Sequence, residues 1–282
     1  MKSDRRILII EGNTRETNET TIKAGGTATG EGYREVILAL APDTECTIVR
    51  PADEGADCLP DGSTLTDFDG YVITGSALNA YDAIPQVEAQ ASLVRGAFES
   101  GIPGFGSCWG LQIMCVALGG EVRLNPKGRE VPFGRAITPN PAGAKHPLFK
   151  DRPESFDTVA IHMDEVSRLP EGATLLASNA MSQVQAVEIQ RDNSIFWGVQ
   201  YHPEFSLQEI GAILQRVREP LVIEGIYPSH EAVDAASADL FALNRSPDDP
   251  ARDRLQIGDL VIDFDKRTRG IRNWLETLVQ PS

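Results

Sequence analysis

The segment Gly104-Phe105-Gly106-Ser107-Cys108-Trp109-Gly110-Leu111-Gln112 sets a cysteine between two glycines, each two residues away. This is the spacing of a nucleophile elbow, G-x-nucleophile-x-G, with cysteine in the serine position. Such a strand-to-helix turn is tight and its central residue strained, so Cβ atoms beside it would not fit. At the start of a helix, unpaired N–H groups and the positive end of the dipole favour a thiolate and can hold an oxyanion. Cys46, Cys58 and Cys115 lack these flanks and read as buried small hydrophobes. The segment is not a dinucleotide fingerprint. Gly104, Gly106 and Gly110 give G-x-G-x-x-x-G, one residue too long, and they occur at the fourth strand.

A thiolate nucleophile works with a base, and the base with an orienting carboxylate. Tyr201-His202-Pro203-Glu204 follows an apolar strand at residues 195–199. In a parallel sheet, groups at strand ends collect along one edge, where active sites lie. His202 is therefore the candidate base and Glu204 the carboxylate that holds it.

The elements that must position these groups alternate over the first 120 residues. Arg6-Ile7-Leu8-Ile9-Ile10 predicts a buried parallel strand, and residues 46–49, 71–74 and 102–105 predict three more. Between them, residues 13–30 read as a Gly/Thr-rich loop, and Tyr33, Val36, Ile37 and Leu40 mark a helical face. Residues 85–98 and 111–118 predict two further helices, the second ended by Gly119-Gly120. The pattern argues for a mostly parallel sheet covered by helices on both faces. From residue 122 to 201, short strands (135–138, 157–161, 174–178, 184–189 and 195–199) are separated by Pro/Gly/Asn turns, which predicts antiparallel or mixed additions. Residues 207–217 predict a helix. The acidic tail from Ser229 predicts two helices split by residues 244–254, with Ile271, Trp274, Leu275 and Leu278 at the i, i+3, i+4, i+7 spacing of one buried face. The expected division is 1–228 for the chemistry and 229–282 for a C-terminal helical extension that packs on it without a catalytic residue.

Composition narrows the partners. The chain of 282 residues carries 26 Lys plus Arg against 41 Asp plus Glu, a net charge of −15. That surface repels phosphate backbones and anionic membranes, so neither nucleic acid nor membrane is expected as a ligand. The start, MKSDRRILII, has too short an apolar run for a signal or spanning segment, and a cytoplasmic protein is expected. Four scattered cysteines and four histidines without ligand spacing imply neither a disulfide framework nor a zinc site.

Residues 106–112 and 201–204 together resemble the class I (triad) glutamine amidotransferase family, in particular the glutaminase domain of GMP synthetases. The resemblance covers residues 6–218. Ile73-Thr74-Gly75-Ser76 is similar to the family's oxyanion strand-loop, Asn125-Pro126-Lys127-Gly128-Arg129-Glu130 to its substrate-side loop, and His162-Met163-Asp164-Glu165 to its histidine-acidic stretch. The resemblance implies an α/β fold of flavodoxin-like type, in which Cys108 attacks the glutamine amide, His202 carries the proton and Glu204 orients His202. It implies an oxyanion hole at the backbone of Gly75 and Trp109, and substrate contacts from Ser76, Gln112, Glu130 and His162. No cofactor is implied.

The resemblance also implies glutamine as substrate and a synthetase partner to accept ammonia. The chain, however, has neither a G-x-x-x-x-G-K-[ST] loop nor an S-G-G-x-D-S-type loop of its own. Three functions therefore stand in order: a glutaminase feeding ammonia to an acceptor, a γ-glutamyl peptidase or hydrolase acting alone, and a non-catalytic regulatory homologue. Residues 13–32 are long for a first β–α connection and could reach over the active-site edge, although a surface loop is the plainer reading.

Overall fold

The computed structural model describes residues 5–279. Ile7, Leu8, Ile9 and Ile10 are fully buried, as a strand covered on both faces requires, and they lie in β1 (Arg5–Ile10). The other strands are β2 (Thr44–Val49), β3 (Gly70–Ile73), β4 (Gly104–Ser107), β5 (Glu121–Leu124), β6 (Phe133–Pro139), β7 (Phe156–Val159), β8 (Asp164–Arg168), β9 (Ala173–Ser178), β10 (Ala186–Arg191) and β11 (Ser194–Val199). One nine-stranded sheet has the order β2-β1-β3-β4-β11-β10-β9-β6-β7. Its strands from β2 to β11 are parallel, and β10, β9, β6 and β7 extend it antiparallel. The turn-rich middle of the chain thus supplies antiparallel additions, as its composition predicts.

The helices are α1 (Arg15–Lys23), α2 (Thr29–Leu40), α3 (Pro51–Glu54), α4 (Pro85–Glu99), α5 (Trp109–Ala117), α6 (Leu207–Arg216), α7 (Arg218–Ile223), α8 (His230–Arg245), α9 (Ala251–Leu255), α10 (Asp259–Ile262), α11 (Phe264–Arg267) and α12 (Arg269–Thr277). Val94, Phe98, Leu111 and Met114 of α4 and α5 pack on Leu8, Ile10, Tyr71 and Ile73, on one face of the sheet. Tyr33 and Ile37 of α2, with Ile271, Trp274 and Leu275 of α12, pack on Ile7, Ile9, Val72 and Phe105 on the other. A third apolar cluster joins α6 to α8, α9 and α10 through Ile210, Leu214, Leu240, Leu243, Ala251 and Val261. The C-terminal helices therefore share their core with the rest of the chain. No helix among the described residues is long and apolar enough to cross a membrane.

Several expectations need correction. Residues 13–30 are not an open loop, because residues 15–23 form α1. Threonine-rich sequence has modest helix propensity. Here Thr14 caps the helix by accepting from the Thr17 N–H at 3.3 Å, and buried Asn18 accepts from the Thr29 N–H at 3.2 Å. The strand expected at 102–105 begins two residues later, with Pro103 before it and Cys108 as the turn itself. The pair β5–β8 was not expected. Val122 is the one buried residue of β5, β8 is buried only over residues 164–166, and the Arg123–Glu165 ion pair spans the two strands at 2.8 Å. The expected break at 244–254 contains α9, which Asp249 starts by accepting from the Ala251 N–H at 2.8 Å. Cys115 is buried as expected, whereas Cys46 and Cys58 are half-buried.

Candidate active site

The C-terminal ends of β1, β3, β4 and β11 open on one cavity of about 230 Å³, whose lining includes Gly75, Cys108 and His202. Cys108 stands between β4 and α5 with φ 51° and ψ −103°, a conformation that L-residues rarely adopt. Its N–H donates to the Val199 carbonyl at 2.7 Å, which ties the elbow to the end of β11. The flanking glycine is a steric requirement: a Cβ at Gly110 would strike the Ile73 carbonyl oxygen. The Cys108 sulfur lies 3.6 Å from the Ile161 carbonyl, to which it can donate.

His202 is 2% exposed and Glu204 5%. The imidazole Nδ1 lies 2.7 Å from Glu204 Oε1, and the ring stacks on Phe205 with centroids 4.0 Å apart and planes within 5°. Cys108 faces the same cavity as the ring and is close enough to act on its charge. Burial alone would pull the His202 pKa down. The Glu204 carboxylate and Cys108 outweigh it and push the value up to about 10. Gly75 lies directly against the ring, and a Cβ there would come within 2.6 Å of Cε1. Trp109 starts α5, where helix geometry leaves its N–H without an intrahelical acceptor. Its indole N–H donates to Gln90 Oε1 at 2.8 Å, and Gln90 Nε2 donates to the Gly12 carbonyl at 3.1 Å.

The remaining anticipated residues divide. Ser76, Gln112 and His162 line the cavity. Gln112 donates from Nε2 to the Asp164 carbonyl and to Gln200 Oε1, each at 3.2 Å. Glu130 lies behind His162 and is not among the lining residues. Its carboxylate is taken up by His162 Nε2 at 2.7 Å, Asn179 Nδ2 at 2.6 Å and Gln185 Nε2 at 2.7 Å. Glu130 thus holds His162 from the rear and has its hydrogen bonds inside the protein.

Other residues escaped the sequence. Glu11, at the end of β1, is 1% exposed and accepts from the Gly30 N–H at 2.6 Å and Thr74 Oγ1 at 3.2 Å, so it ties β3's loop to the start of α2. A charge directly after four buried apolar residues is the signal that could have found it. Asn13, Thr21, Thr27 and Thr29 bring the α1 region to the cavity, and Glu209, Ile213 and Arg216 bring α6.

The family model for class-I glutamine amidotransferases matches residues 35–217. The chain belongs to the class I glutamine amidotransferase family. A γ-glutamyl-L-1-hydroxyisopropylamide hydrolase from a Pseudomonas species is 35% identical over 98% of this chain and 94% of its own length. A subunit of the glutamine-hydrolysing GMP synthase of Methanocaldococcus jannaschii is 34% identical over 45% of this chain and 64% of its own length. Among solved structures, a glutamine amidotransferase from Thermotoga maritima shares the fold with a TM-score of 0.65. It is 16% identical, over 98% of this chain and 99% of that one. The names of these family relatives describe both glutamine-hydrolysing synthesis and γ-glutamyl hydrolysis.

Proposed function

We propose that this chain hydrolyses the amide bond of a γ-glutamyl compound on its own, with Cys108 as nucleophile, His202 as proton carrier and Glu204 as the group that orients it. The observation that carries the chemistry is the buried imidazole between the Glu204 carboxylate and the Cys108 sulfur, at the tip of a strained elbow. The Cys108 thiolate attacks the γ-carbonyl carbon, and the oxyanion that develops meets the N–H groups of Gly75 and Trp109. Protonated His202 gives its proton to the departing amine as the C–N bond breaks, leaving a γ-glutamyl thioester. Water then attacks the thioester carbon and loses its proton to His202. Glutamate leaves, and the thiolate is restored beside the imidazolium.

The choice of substrate rests on the likeness to the Pseudomonas hydrolase, which runs through the C-terminal helices as well as the elbow. Glutamine hydrolysis coupled to a synthetase partner is the second reading, favoured by the likeness to the GMP synthase subunit, which covers less than half of this chain. Glutamate release by the purified chain separates them. Turnover of γ-glutamyl alkylamides above that of glutamine supports the first reading. Glutamine as the best substrate, with turnover raised by an added synthetase, supports the second.

A glutamine-mimicking electrophile is expected to label Cys108 alone after brief exposure. Burial pushes the Cys46 thiol pKa up to about 11 and that of Cys115 up to about 12, and it also raises that of Cys58. Mass mapping reads the result, and predominant adducts on any of those three would remove Cys108 from its role.

A further inference from the structure

The wall that α6 gives the cavity carries charge that the mechanism does not use. Glu209, Ile213 and Arg216 lie along one face of α6 at the i, i+4, i+7 spacing, and all three line the cavity. Most charged groups around them are engaged. Arg129 makes two hydrogen bonds to Glu224, at 2.8 and 2.7 Å. Glu209 accepts from the Thr27 N–H and hydroxyl, each at 3.0 Å, and Asp164 accepts from the Tyr81 hydroxyl at 3.2 Å. Arg216 is the exception. Among the described residues no ion pair or hydrogen bond engages its guanidinium, and its Nε is wholly buried without a partner. Burial and the neighbouring Arg129 charge both pull its pKa down, which is the condition of a cation without a counter-ion.

We propose that Arg216 is a specificity-determining residue that pairs with a carboxylate of the substrate. The proposal rests on the reading of the chain as a γ-glutamyl amide hydrolase. A planar guanidinium whose two terminal nitrogens carry no hydrogen bond among the described residues presents N–H groups that match the two oxygens of a carboxylate in a fork-like pair. The carboxylates of Glu209 and Asp164 in the same cavity disfavour a doubly charged anion such as phosphate. A cavity of about 230 Å³ suits a small amino-acid derivative, being below the roughly 300–1,000 Å³ of larger ligand sites. Two parts of such a substrate can carry the carboxylate: the α-carboxylate of the γ-glutamyl group, or an acidic group on the leaving amine.

Steady-state kinetics of the full chain and its Arg216→Gln and Arg216→Lys variants test this with three substrates. These are γ-glutamylethylamide, the same compound with its α-carboxylate converted to an amide, and γ-glutamylglycine. If Arg216 holds the α-carboxylate, Arg216→Gln lowers kcat/KM roughly 10- to 100-fold for γ-glutamylethylamide and γ-glutamylglycine, mainly through KM. The α-masked compound is then insensitive to the substitution, and Arg216→Lys recovers part of the loss. If it holds the leaving-group carboxylate, only γ-glutamylglycine suffers. An equal change for all three substrates, or none, overturns the proposal while leaving the hydrolase reading intact. Calorimetric titration of γ-glutamylglycine into Cys108→Ala, with and without Arg216→Gln, reads the contact without turnover. Affinity at least 10-fold weaker in the double variant supports it, and equal affinity or no binding to either overturns it. Failure of the hydrolase reading shows separately, as an unsubstituted chain that releases no glutamate.

Discussion

Replacing His202 by alanine is expected to lower turnover of a γ-glutamyl amide roughly 10²- to 10⁴-fold, the range for loss of a positioned acid–base group. Glu204→Ala leaves an imidazole that can still accept and give a proton from an imperfect orientation, so it retains more activity than His202→Ala. The pH profile distinguishes orientation from simple unfolding. In the intact chain the Glu204 carboxylate helps push the His202 pKa up to about 10, so the imidazolium proposed to protonate the amine is expected to persist through neutral pH. Turnover should fall as pH rises through that value. Glu204→Gln keeps the side-chain shape and removes the charge, and the alkaline fall should then move toward neutral pH. Initial rates between pH 6 and 11 (about the window of imidazolium loss) check the shift. Negligible losses in both alanine variants would mean that the acid–base group lies elsewhere.

Trp274→Ala is expected to destabilise the chain by about 3–5 kcal/mol, the cost of a large cavity in a packed core. The indole is fully buried, its ring centroid lies 6.0 Å from that of Phe105 in β4, and its Cζ2 packs against Gly70 in β3. Its N–H has no partner. Trp274→Phe removes that orphan donor and keeps most of the apolar contact, so it should cost much less than the alanine. Denaturant midpoints measured at unchanged m-value give both numbers. A Trp274→Ala chain as stable as the original would show that α12 does not hold the sheet. Ending the chain at Pro228 exposes the same face of Phe105 and Val72, together with the faces of Ile210 and Leu214, and a poorly soluble product is expected.

What the sequence made legible was local. Ile7–Ile10 announced a doubly covered strand because nothing in it needs a distant partner to be read. The glycines beside Cys108 announced the turn because their reason is steric and lies within a few residues. The helix α1 was hidden because Thr and Asn are indifferent helix formers, and its support comes from Thr14, from Thr29 and from α6 behind it. The β5–β8 pair was hidden because β5 buries only Val122, neither strand alternates, and each gains its meaning only from the other. Composition ranks Glu130, Arg129 and Arg216 alike as charged surface residues. Only the fold separates a carboxylate spent on His162, a guanidinium spent on Glu224 and one left without a counter-ion. The α6 residues of the cavity could not be placed from their spacing, since the periodicity that buries Ile210 and Leu214 says nothing of what the neighbouring stripe faces.

The pairing of β4 with β11, Ser107 beside Val199, joins stretches far apart along the chain. A parallel neighbour so distant demands closure of a long loop before any of its hydrogen bonds form, which makes it a slow step of folding. During synthesis Cys108 leaves the ribosome long before His202 and Glu204, and α12, which underlies β4, leaves later still. The growing chain therefore carries the Cys108 thiol without His202 beside it while residues 109–202 are made. Under the proposed mechanism the elbow gains its acid–base partner only once β11 has docked beside β4, so a copy lacking that pairing is expected to be silent.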